Sequence, residues 1–203
     1  MYKRQPSRPR NAIIPGCLVD AIVVAEPEER NEAYTALTGS FEIPYKEWHT
    51  WNEKINDLSQ KRRKNNVPAN IIGKRAAKEL RVDDIVNIGI GIPEMVSRYA
   101  RKSGMLDMIT LTVESGGIGG FPVSGEAFGA MIGAASVYDM ANQFDLYDNG
   151  GLDICFMGGL EADRYGNINA HRGTGAFAGI GGFANITAKT PTVAVSYTHL
   201  RAH

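Results

Sequence analysis

The sequence has few cysteines and no long apolar run. Its two cysteines, Cys17 and Cys155, lie far apart and neither belongs to a CxxC pair. This usage is typical of buried thiols in a reducing compartment, so we expect a cytoplasmic protein without a disulfide framework. No apolar stretch reaches the roughly 18 residues that a membrane span needs, and the basic start of the chain lacks the apolar region of a secretory signal.

The sequence also lacks an excess of charge of either sign. Lysine and arginine together number 22, as do aspartate and glutamate. A balance of this kind gives no reason to expect nucleic acid or a membrane surface as a partner. No GxSxG, HExxH or Walker A string is present, and His49 and His171 have no metal-ligand neighbours. The sequence therefore offers no metal site and no motif for a redox cofactor.

Before Val67 the chain is irregular in pattern. A β-branched run over Leu18–Val24 predicts a buried strand. Residues 26–66 are rich in Glu, Asn and Lys and include a KRRK run, so we interpret them as a solvated connector near a domain boundary. Residues 1–10 and 196–203 share none of the surrounding pattern, and we expect both to be non-native ends of a fragment.

From Val67 onward the pattern becomes regular. A helix is predicted from Pro68, followed by a strand, a glycine-rich turn, a helix that stops at Gly104, and another strand. This is a βαβ unit, which implies an α/β fold with an open, mostly parallel sheet and flanking helices. The first helix presents one apolar face made of Ile71, Ile72, Ala76, Ala77 and Leu80. The predicted strands are Val82–Ile88, Ile109–Val113, Leu152–Met157 and Thr192–Val195.

The segment Thr112–Gly120 reads TVESGGIGG and carries the strongest chemical signal. It places Glu114 at the carboxyl end of a predicted parallel strand, where open α/β sheets border their ligands. Four glycines follow within six residues, and glycines such as Gly116 and Gly117 allow a bulky substrate to approach the backbone. A carboxylate at such a place is either a nucleophile or a cap for the amides that follow.

Cations are absent from the region around this carboxylate. Between Ser103 and Asp163 there is no lysine or arginine, whereas nine residues are acidic. Glu114 therefore has no local counter-ion in the sequence. A carboxylate with little solvent and no fixed cation is a better nucleophile than a salt-bridged one.

Two further turns are rich in backbone amides. Gly179–Phe183 (GIGGF) precedes a predicted helix, and its successive N–H groups could form an oxyanion hole. Gly89–Pro93 (GIGIP) opens the helix of the βαβ unit, but it lacks the third glycine of a dinucleotide fingerprint. Together with Glu114 these turns make one candidate nucleophile and two amide-rich loops at strand ends.

These segments resemble those of class I coenzyme A transferases, in the acetate or propionate CoA-transferase branch. TVESGGIGG is similar to the active-site segment of that family, VNIGIGIPEMV to its glycine turn, and GIGGFANI to its oxyanion loop. GGLEADRYGNINA resembles a strand-turn segment of the second catalytic half, and IPGCLVDAIVVA the last strand region of the first. The resemblance implies a tandem, NagB/RpiA/CoA transferase-like protein. Residues 11–66 would hold the end of its first half and the connector, and residues 67–195 a truncated second half.

The resemblance also implies a chemistry. Glu114 would attack an acyl-CoA, pass through an acyl-glutamyl anhydride and a glutamyl-CoA thioester, and return the coenzyme to a carboxylic acid. Gly181 or Gly182 would supply the oxyanion amide, and Gly89 and Gly91 would line the substrate. Coenzyme A is then a substrate rather than a cofactor, and we expect a homo-oligomer when the protein is full length.

Two rival functions stay open at this point. A sugar-phosphate isomerase of related fold would use Glu114 as a base, but it would need lysine or arginine near the glycine turns to hold phosphate. A non-catalytic module that binds coenzyme A or a nucleotide would leave Glu114 without a role.

Overall fold

The computed structural model describes residues 20–21, 67–123, 128–173, 176–177 and 179–197. Those from Val67 onward belong to one compact unit of the chain. The predicted connector over 26–66 and the end segment 1–10 lie outside the described residues, as does almost all of the strand predicted over Leu18–Val24. Of the other end segment, Ser196 closes a strand of the sheet by pairing with Gly158.

The described residues form twelve short strands and four α-helices. The strands are β1 (Ile85–Ile88), β2 (Thr110–Thr112), β3 (Gly117–Ile118), β4 (Phe121–Pro122), β5 (Met131–Ile132), β6 (Ser136–Val137), β7 (Ile154–Gly158), β8 (Glu161–Ala162), β9 (Ile168–Asn169), β10 (Arg172–Gly173), β11 (Ala176–Phe177) and β12 (Thr192–Ser196). The helices are α1 (Val67–Ala76), α2 (Glu94–Lys102), α3 (Met140–Asp148) and α4 (Phe183–Ala188), with 3-10 turns at Ala77–Glu79 and Leu106–Met108.

The main sheet has six strands in the order β12-β7-β1-β2-β3-β6. Strands β12, β7, β1 and β2 run parallel to one another, whereas β3 joins both β2 and β6 in antiparallel pairs. The predicted α/β fold with a mostly parallel sheet and flanking helices is therefore confirmed. Three antiparallel hairpins, β4–β5, β8–β9 and β10–β11, complete the described strands.

Alternate residues of the parallel strands face two different apolar clusters. Val86, Ile88, Leu111 and Val113 pack with Val96 and Ala100 of α2 on one face. On the other face Cys155 and Met157 pack with Tyr147 of α3 and Ile186 of α4. Because successive side chains of a strand point to opposite faces, Asn87, Thr112 and Glu114 lie on the side of α3 and α4.

The βαβ unit forms because the sequence marks its turns clearly. Pro93 stands immediately before α2, where its fixed φ suits a helix and its missing N–H leaves no hydrogen bond unmade. Gly104, with a φ of 74°, ends the helix in the left-handed region that glycine adopts freely. The strand predicted over Ile109–Val113 is found as Thr110–Thr112, parallel to β1.

Two details of the sequence prediction are wrong. Ile71, assigned to the apolar face of α1, is 64% exposed, and the buried residues of that helix are Ala69 and Gly73. The helix turns this small-residue face to α2 because a glycine allows close approach, which packs Gly73 against Met95. The strand predicted from Val82 begins only at Ile85, because Asp83 adopts a positive φ of 69° in a turn.

The chain topology gathers several loops at one edge of the sheet. From β1 the chain crosses by α2 to β2, then returns past β1 by α3 to β7, and continues to β12. Connections that leave neighbouring strands in opposite directions open a crevice at the carboxyl ends of those strands. The loops after β1, β2 and β7 all start from that edge. None of the helices in the described ranges is both long and apolar enough to cross a membrane.

Candidate active site

Glu114 lies in a tight turn that reverses the chain from β2 into β3. The N–H of Gly116 donates to the carbonyl of Val113 at 3.1 Å, and the N–H of Val113 donates to the carbonyl of Gly117 at 3.0 Å. Gly116 has a φ of 111°, and a Cβ there would come within 1.9 Å of the carbonyl oxygen of Tyr138. The turn thus depends on glycine both for conformation and for space, and it holds Glu114 at the end of the strand.

The Glu114 carboxylate contacts the glycine loop that precedes α4. A Cβ placed on Gly182 would lie 2.7 Å from Oε2 of Glu114, 3.0 Å from its Cδ and 2.8 Å from Cζ of Phe144. Gly182 has φ −78° and ψ 0°, which any residue can adopt. Glycine is therefore required here because the carboxylate and Phe144 occupy the space of a side chain, and not because of the backbone. The structure brings together the two segments that the sequence singled out.

Glu114 carries its charge in an unusually bare environment. Within the described residues no side chain or backbone N–H donates a hydrogen bond to its carboxylate, and no cation pairs with it. Burial raises the pKa of this carboxyl above its ordinary value of 4.5. A desolvated carboxylate without donors is poorly stabilised as an anion, which favours its reaction with an electrophile.

The glycine loop offers backbone amides close to this carboxylate. Gly179 donates its N–H to the carbonyl of His171, and Phe183 donates to Ile180 at 3.3 Å. In the described part of the chain no group accepts the N–H of Gly181 or of Gly182. Two N–H groups without an acceptor among the described residues therefore lie in the loop that contacts Glu114, and their predicted role as oxyanion donors stays a prediction.

The turn after β1 uses its backbone amides within the protein. The N–H of Gly89 donates to the carbonyl of Phe156 at 2.8 Å, which ties β1 to β7. The N–H of Gly91 donates to Oε1 of Glu94 at 2.6 Å. Both amides are thus engaged within the protein, and the predicted contact of Gly89 and Gly91 with substrate stays a prediction. Gly91 leaves open space around its Cα, with no atom within 4 Å of a built Cβ, so a substrate could still approach its backbone.

Gly117 also serves packing. A Cβ at this position would lie 3.0 Å from Cβ of Met131 and 3.2 Å from a methyl group of Val113. It belongs to β3, where its carbonyl accepts from Val113. The arrangement explains Gly116 and Gly117 by the shape of the turn, and their predicted contact with substrate stays a prediction.

Sequence reasoning missed a layer of polar side chains beneath Glu114. Asn87, Thr112, Gln143 and Tyr147 are all fully buried between the sheet and α3. Phe144, on the same helix, packs against Gly182. Asn87 and Thr112 stand out as polar residues within apolar strands, and Gln143 and Tyr147 are four residues apart on a helix. Those spacings could have indicated a shared buried cluster.

Two other features do not contribute to this site. No group of three or more His, Cys, Asp and Glu residues in the described ranges could hold a metal ion. An apolar cleft of about 40 Å³ lies between α1, α2 and the ends of β7 and β12, lined by residues such as Ile72, Pro93 and Val195. It is on the face of the sheet opposite Glu114 and is too small for an acyl-CoA.

Comparisons with known proteins place this geometry in a family. The sequence profile of coenzyme A transferases matches residues 69–182. An acetate CoA-transferase of Escherichia coli strain K12, YdiF, is 35% identical over 196 residues, which are 95% of this chain and 35% of that protein. A caffeate CoA-transferase of Acetobacterium woodii is 36% identical over 199 residues, covering 92% of this chain and 35% of its own. The chain thus spans about a third of the length of these relatives.

The chain also matches a solved structure of a CoA transferase. The acyl-CoA transferase YdiF of Escherichia coli O157:H7, in a thioester complex with CoA, matches with a TM-score of 0.57 at 35% identity, over 63% of this chain and 23% of that one. The profile match takes in Glu114, the turn after β1 and the Gly181–Gly182 loop. This chain belongs to the coenzyme A transferase family.

Proposed function

We propose that this protein transfers coenzyme A from a short-chain acyl-CoA to a carboxylic acid through a covalent intermediate on Glu114. Acetate, propionate or a 3-keto acid would be the acceptor. The observation that carries the proposal is the contact between the Glu114 carboxylate and the Gly182 loop, with two unengaged amides beside it. A carboxylate without hydrogen-bond donors next to an oxyanion hole is the arrangement that acyl transfer needs.

The first half of the reaction forms two bonds in turn. An oxygen of Glu114 attacks the thioester carbonyl carbon of the acyl-CoA, the C–S bond breaks, and coenzyme A leaves as a thiolate. The product on the protein is an acyl-glutamyl anhydride. The thiolate then attacks the glutamyl carbonyl carbon of that anhydride and expels the acyl group as a free carboxylate. The protein is left as a glutamyl-CoA thioester, and no net proton has been taken up.

The second half repeats these steps in reverse. A carboxylate of the incoming acid attacks the glutamyl thioester carbonyl, and the thiolate leaves. The thiolate then attacks the acyl carbonyl of the new anhydride and releases Glu114 as a carboxylate. Each attack passes through a tetrahedral oxyanion, and where that oxyanion is on the glutamyl carbon the proposal assigns its stabilisation to the N–H groups of Gly181 and Gly182. These steps use no metal and no redox cofactor.

The desolvation of Glu114 supports this chemistry. Its charge is neutralised when it becomes an anhydride or thioester, so burial that destabilises the anion favours the covalent states relative to free carboxylate. The basic-free stretch from Ser103 to Asp163 has the same effect, because a lysine or arginine near Glu114 would stabilise the anion. A homo-oligomer in the cytoplasm is part of the proposal, and its support is the cysteine usage and the family.

The experiment is a mass measurement of the intact protein after mixing with acetyl-CoA. We expect an adduct equal to coenzyme A less one water on the wild type, on the peptide that contains Glu114, and none on Glu114→Gln. Glu79→Gln is the matched control, because Glu79 is partly exposed in an i,i+4 ion pair with Arg75, outside the Glu114 site. Absence of the adduct from a wild-type protein shown to be folded, or an equal adduct on Glu114→Gln, would refute the proposal. A non-catalytic binding module would give binding without any adduct.

A further inference from the structure

A buried polar cluster lies on the same face of the sheet as Glu114, with Thr112 two residues before it on the chain. Its members, Asn87, Thr112, Gln143 and Tyr147, have no exposed surface, although Cys155 and Met157 beside them belong to an apolar cluster. Polar side chains are costly to bury unless every group finds a hydrogen-bond partner. The way in which these partners are distributed indicates what the cluster does.

The carbonyl oxygen of Val86 determines which group donates and which accepts in each hydrogen bond of the cluster. The Thr112 hydroxyl donates to the carbonyl oxygen of Val86 at 3.0 Å, and a carbonyl can only accept. Thr112 must therefore accept from Tyr147, whose phenol donates to it at 3.0 Å. Because the phenol has one proton, its oxygen can only accept from the two amides. Asn87 Nδ2 and Gln143 Nε2 donate to it at 3.1 Å and 2.8 Å.

This order leaves two acceptors without a partner. Oδ1 of Asn87 and Oε1 of Gln143 are buried and accept no hydrogen bond in the described structure. An unmatched buried acceptor lowers stability, and a cluster selected for stability alone would not be expected to keep two. The cluster thus directs amide N–H groups toward the phenol of Tyr147 and holds them there.

The cluster is close to Glu114 but gives it no hydrogen bond. Thr112 and Glu114 are two residues apart on β2 and its end, on the same face, and Phe144 of α3 reaches Gly182 beside the carboxylate. Burial chiefly raises the pKa of Tyr147, and the charge of Glu114 raises it further. The hydroxyl proton of Tyr147 is nevertheless donated to Thr112, and that of Thr112 to the carbonyl of Val86, so neither is donated to Glu114.

We propose that Tyr147 is a positioning residue for the nucleophile: its hydroxyl binds the amides of Asn87 and Gln143, and so keeps both amides from donating to Glu114. The inference rests on the proposed function, in which Glu114 attacks the thioester. A carboxylate that accepted one or two amide N–H bonds would be a more stable anion and a weaker nucleophile. In this arrangement the backbone amides of Gly181 and Gly182 are left as the donors beside the reacting carbon.

The other titratable groups around Glu114 do not change this balance. On α3, Asp145 is exposed and Asp148 accepts from Asn185 of α4, so neither is directed to the carboxylate. On β7 the Cys155 thiol has a pKa of about 11 and stays neutral. The loop Gly179–Phe183 and helix α4 contain no titratable side chain.

The test is Tyr147→Phe, which removes the acceptor of both amides and keeps the aromatic ring. We expect the released amides to donate to Glu114 and to slow adduct formation with acetyl-CoA about ten- to a hundredfold. The acid limb of the rate against pH should move to lower pH. Tyr165→Phe is the matched control, since Tyr165 is 74% exposed on the β8–β9 hairpin, and its rate should equal that of the wild type.

A second variant separates positioning from mere packing. In Tyr147→Phe/Gln143→Leu one of the two released amides is removed, so that only Asn87 is left to donate to Glu114. The proposal expects the rate to recover toward the wild type. A purely structural role for Tyr147 expects a further loss, because a second buried residue has been changed. A double variant slower than Tyr147→Phe, or a Tyr147→Phe rate equal to the wild type, would overturn the proposal.

A direct titration does not depend on turnover. The carboxyl carbon of Glu114 can be followed by ¹³C NMR, with its resonance identified by its loss in Glu114→Gln. We expect a lower Glu114 pKa in Tyr147→Phe than in the wild type, and an unchanged value overturns the positioning role even if the adduct forms. A lower value in a protein that forms no adduct would uphold the positioning role while the proposed transferase function fails.

Discussion

Gly182→Ala is the substitution for which the structure gives the sharpest expectation. The new Cβ would lie 2.7 Å from Oε2 of Glu114 and 2.8 Å from Cζ of Phe144, whereas ordinary contacts of this kind need more than 3.4 Å. The backbone at Gly182 is right-handed helical, so alanine brings no conformational strain. The carboxylate must therefore move, and the displacement needed is about 0.5–1 Å; a 1 Å error in a reacting group can slow a reaction about a hundredfold.

The neighbouring Gly181 provides the contrast. It has a φ of 54° and no atom within 4 Å of a built Cβ. Alanine there meets no clash but adopts a left-handed conformation, which costs about 1–2 kcal/mol of stability. We expect Gly181→Ala to unfold more easily yet to form the coenzyme A adduct at a rate within a few-fold of the wild type. Gly182→Ala should instead form the adduct much more slowly than the wild type and lose less stability than Gly181→Ala.

The assay is the rate of adduct formation with acetyl-CoA, measured by intact mass beside a urea unfolding curve for each variant. The two glycines are adjacent in one loop, so a general disturbance of the loop would affect both rates alike. If Gly182→Ala reacts as fast as the wild type, the contact between that loop and Glu114 does not matter for the chemistry. If Gly181→Ala loses as much rate as Gly182→Ala, the distinction between space and conformation is wrong.

Three further outcomes follow from the described packing and burial. Glu114→Gln should raise the melting temperature at neutral pH, because burial raises the pKa of Glu114 in the folded protein above its ordinary value of 4.5. The protonated carboxyl contributes its full stability below pH 4.5, and this contribution is lost as the pH rises through the folded pKa. The difference in melting temperature between the variant and the wild type should therefore vanish in acid. Gly73→Ala would place a Cβ 2.3 Å from Cβ of Met95, and we expect urea unfolding to show a loss of about 1–3 kcal/mol from overpacking between α1 and α2. The Cys155 thiol, buried with a pKa of about 11, should react with a thiol reagent at pH 8 only at the rate of unfolding, and fast labelling of the folded protein would contradict its burial.

The sequence was sufficient to predict the parts of the fold that depend on residues that begin or end a helix or strand. Pro93 and Gly104 bound α2 because one residue lacks an N–H and the other adopts a left-handed backbone. The largely apolar run around Ile154 and the β-branched run around Thr192 predicted strands of the parallel sheet at nearly their observed bounds. What could not be read locally was which face of α1 is buried, because that depends on how closely Gly73 lets α2 approach.

The candidate site also has residues that the sequence identifies and contacts that only the tertiary structure shows. Glu114 and the Gly179–Phe183 loop were recognisable from sequence, but their contact depends on the strand order, which brings the end of β2 and the start of α4 to one edge. The buried cluster around Tyr147 was missed because helical spacing does not tell whether a Gln and a Tyr face solvent or the sheet. The engaged amides of Gly89 and Gly91 were also out of reach, since their acceptors are a neighbouring strand and a side chain of α2.

Glycines of the site are required for different reasons, and the difference matters for function. Gly181 is needed for its backbone conformation, Gly182 only for space, and Gly116 for both, since it has a positive φ and a carbonyl where its side chain would be. A glycine required for conformation shapes a loop, and a relative could replace it by another residue tolerant of that region. A glycine required by the space that a neighbouring carboxylate occupies can be replaced only if that carboxylate moves. Gly182 is therefore the position at which the packing of this fold and the chemistry proposed for Glu114 cannot be varied independently.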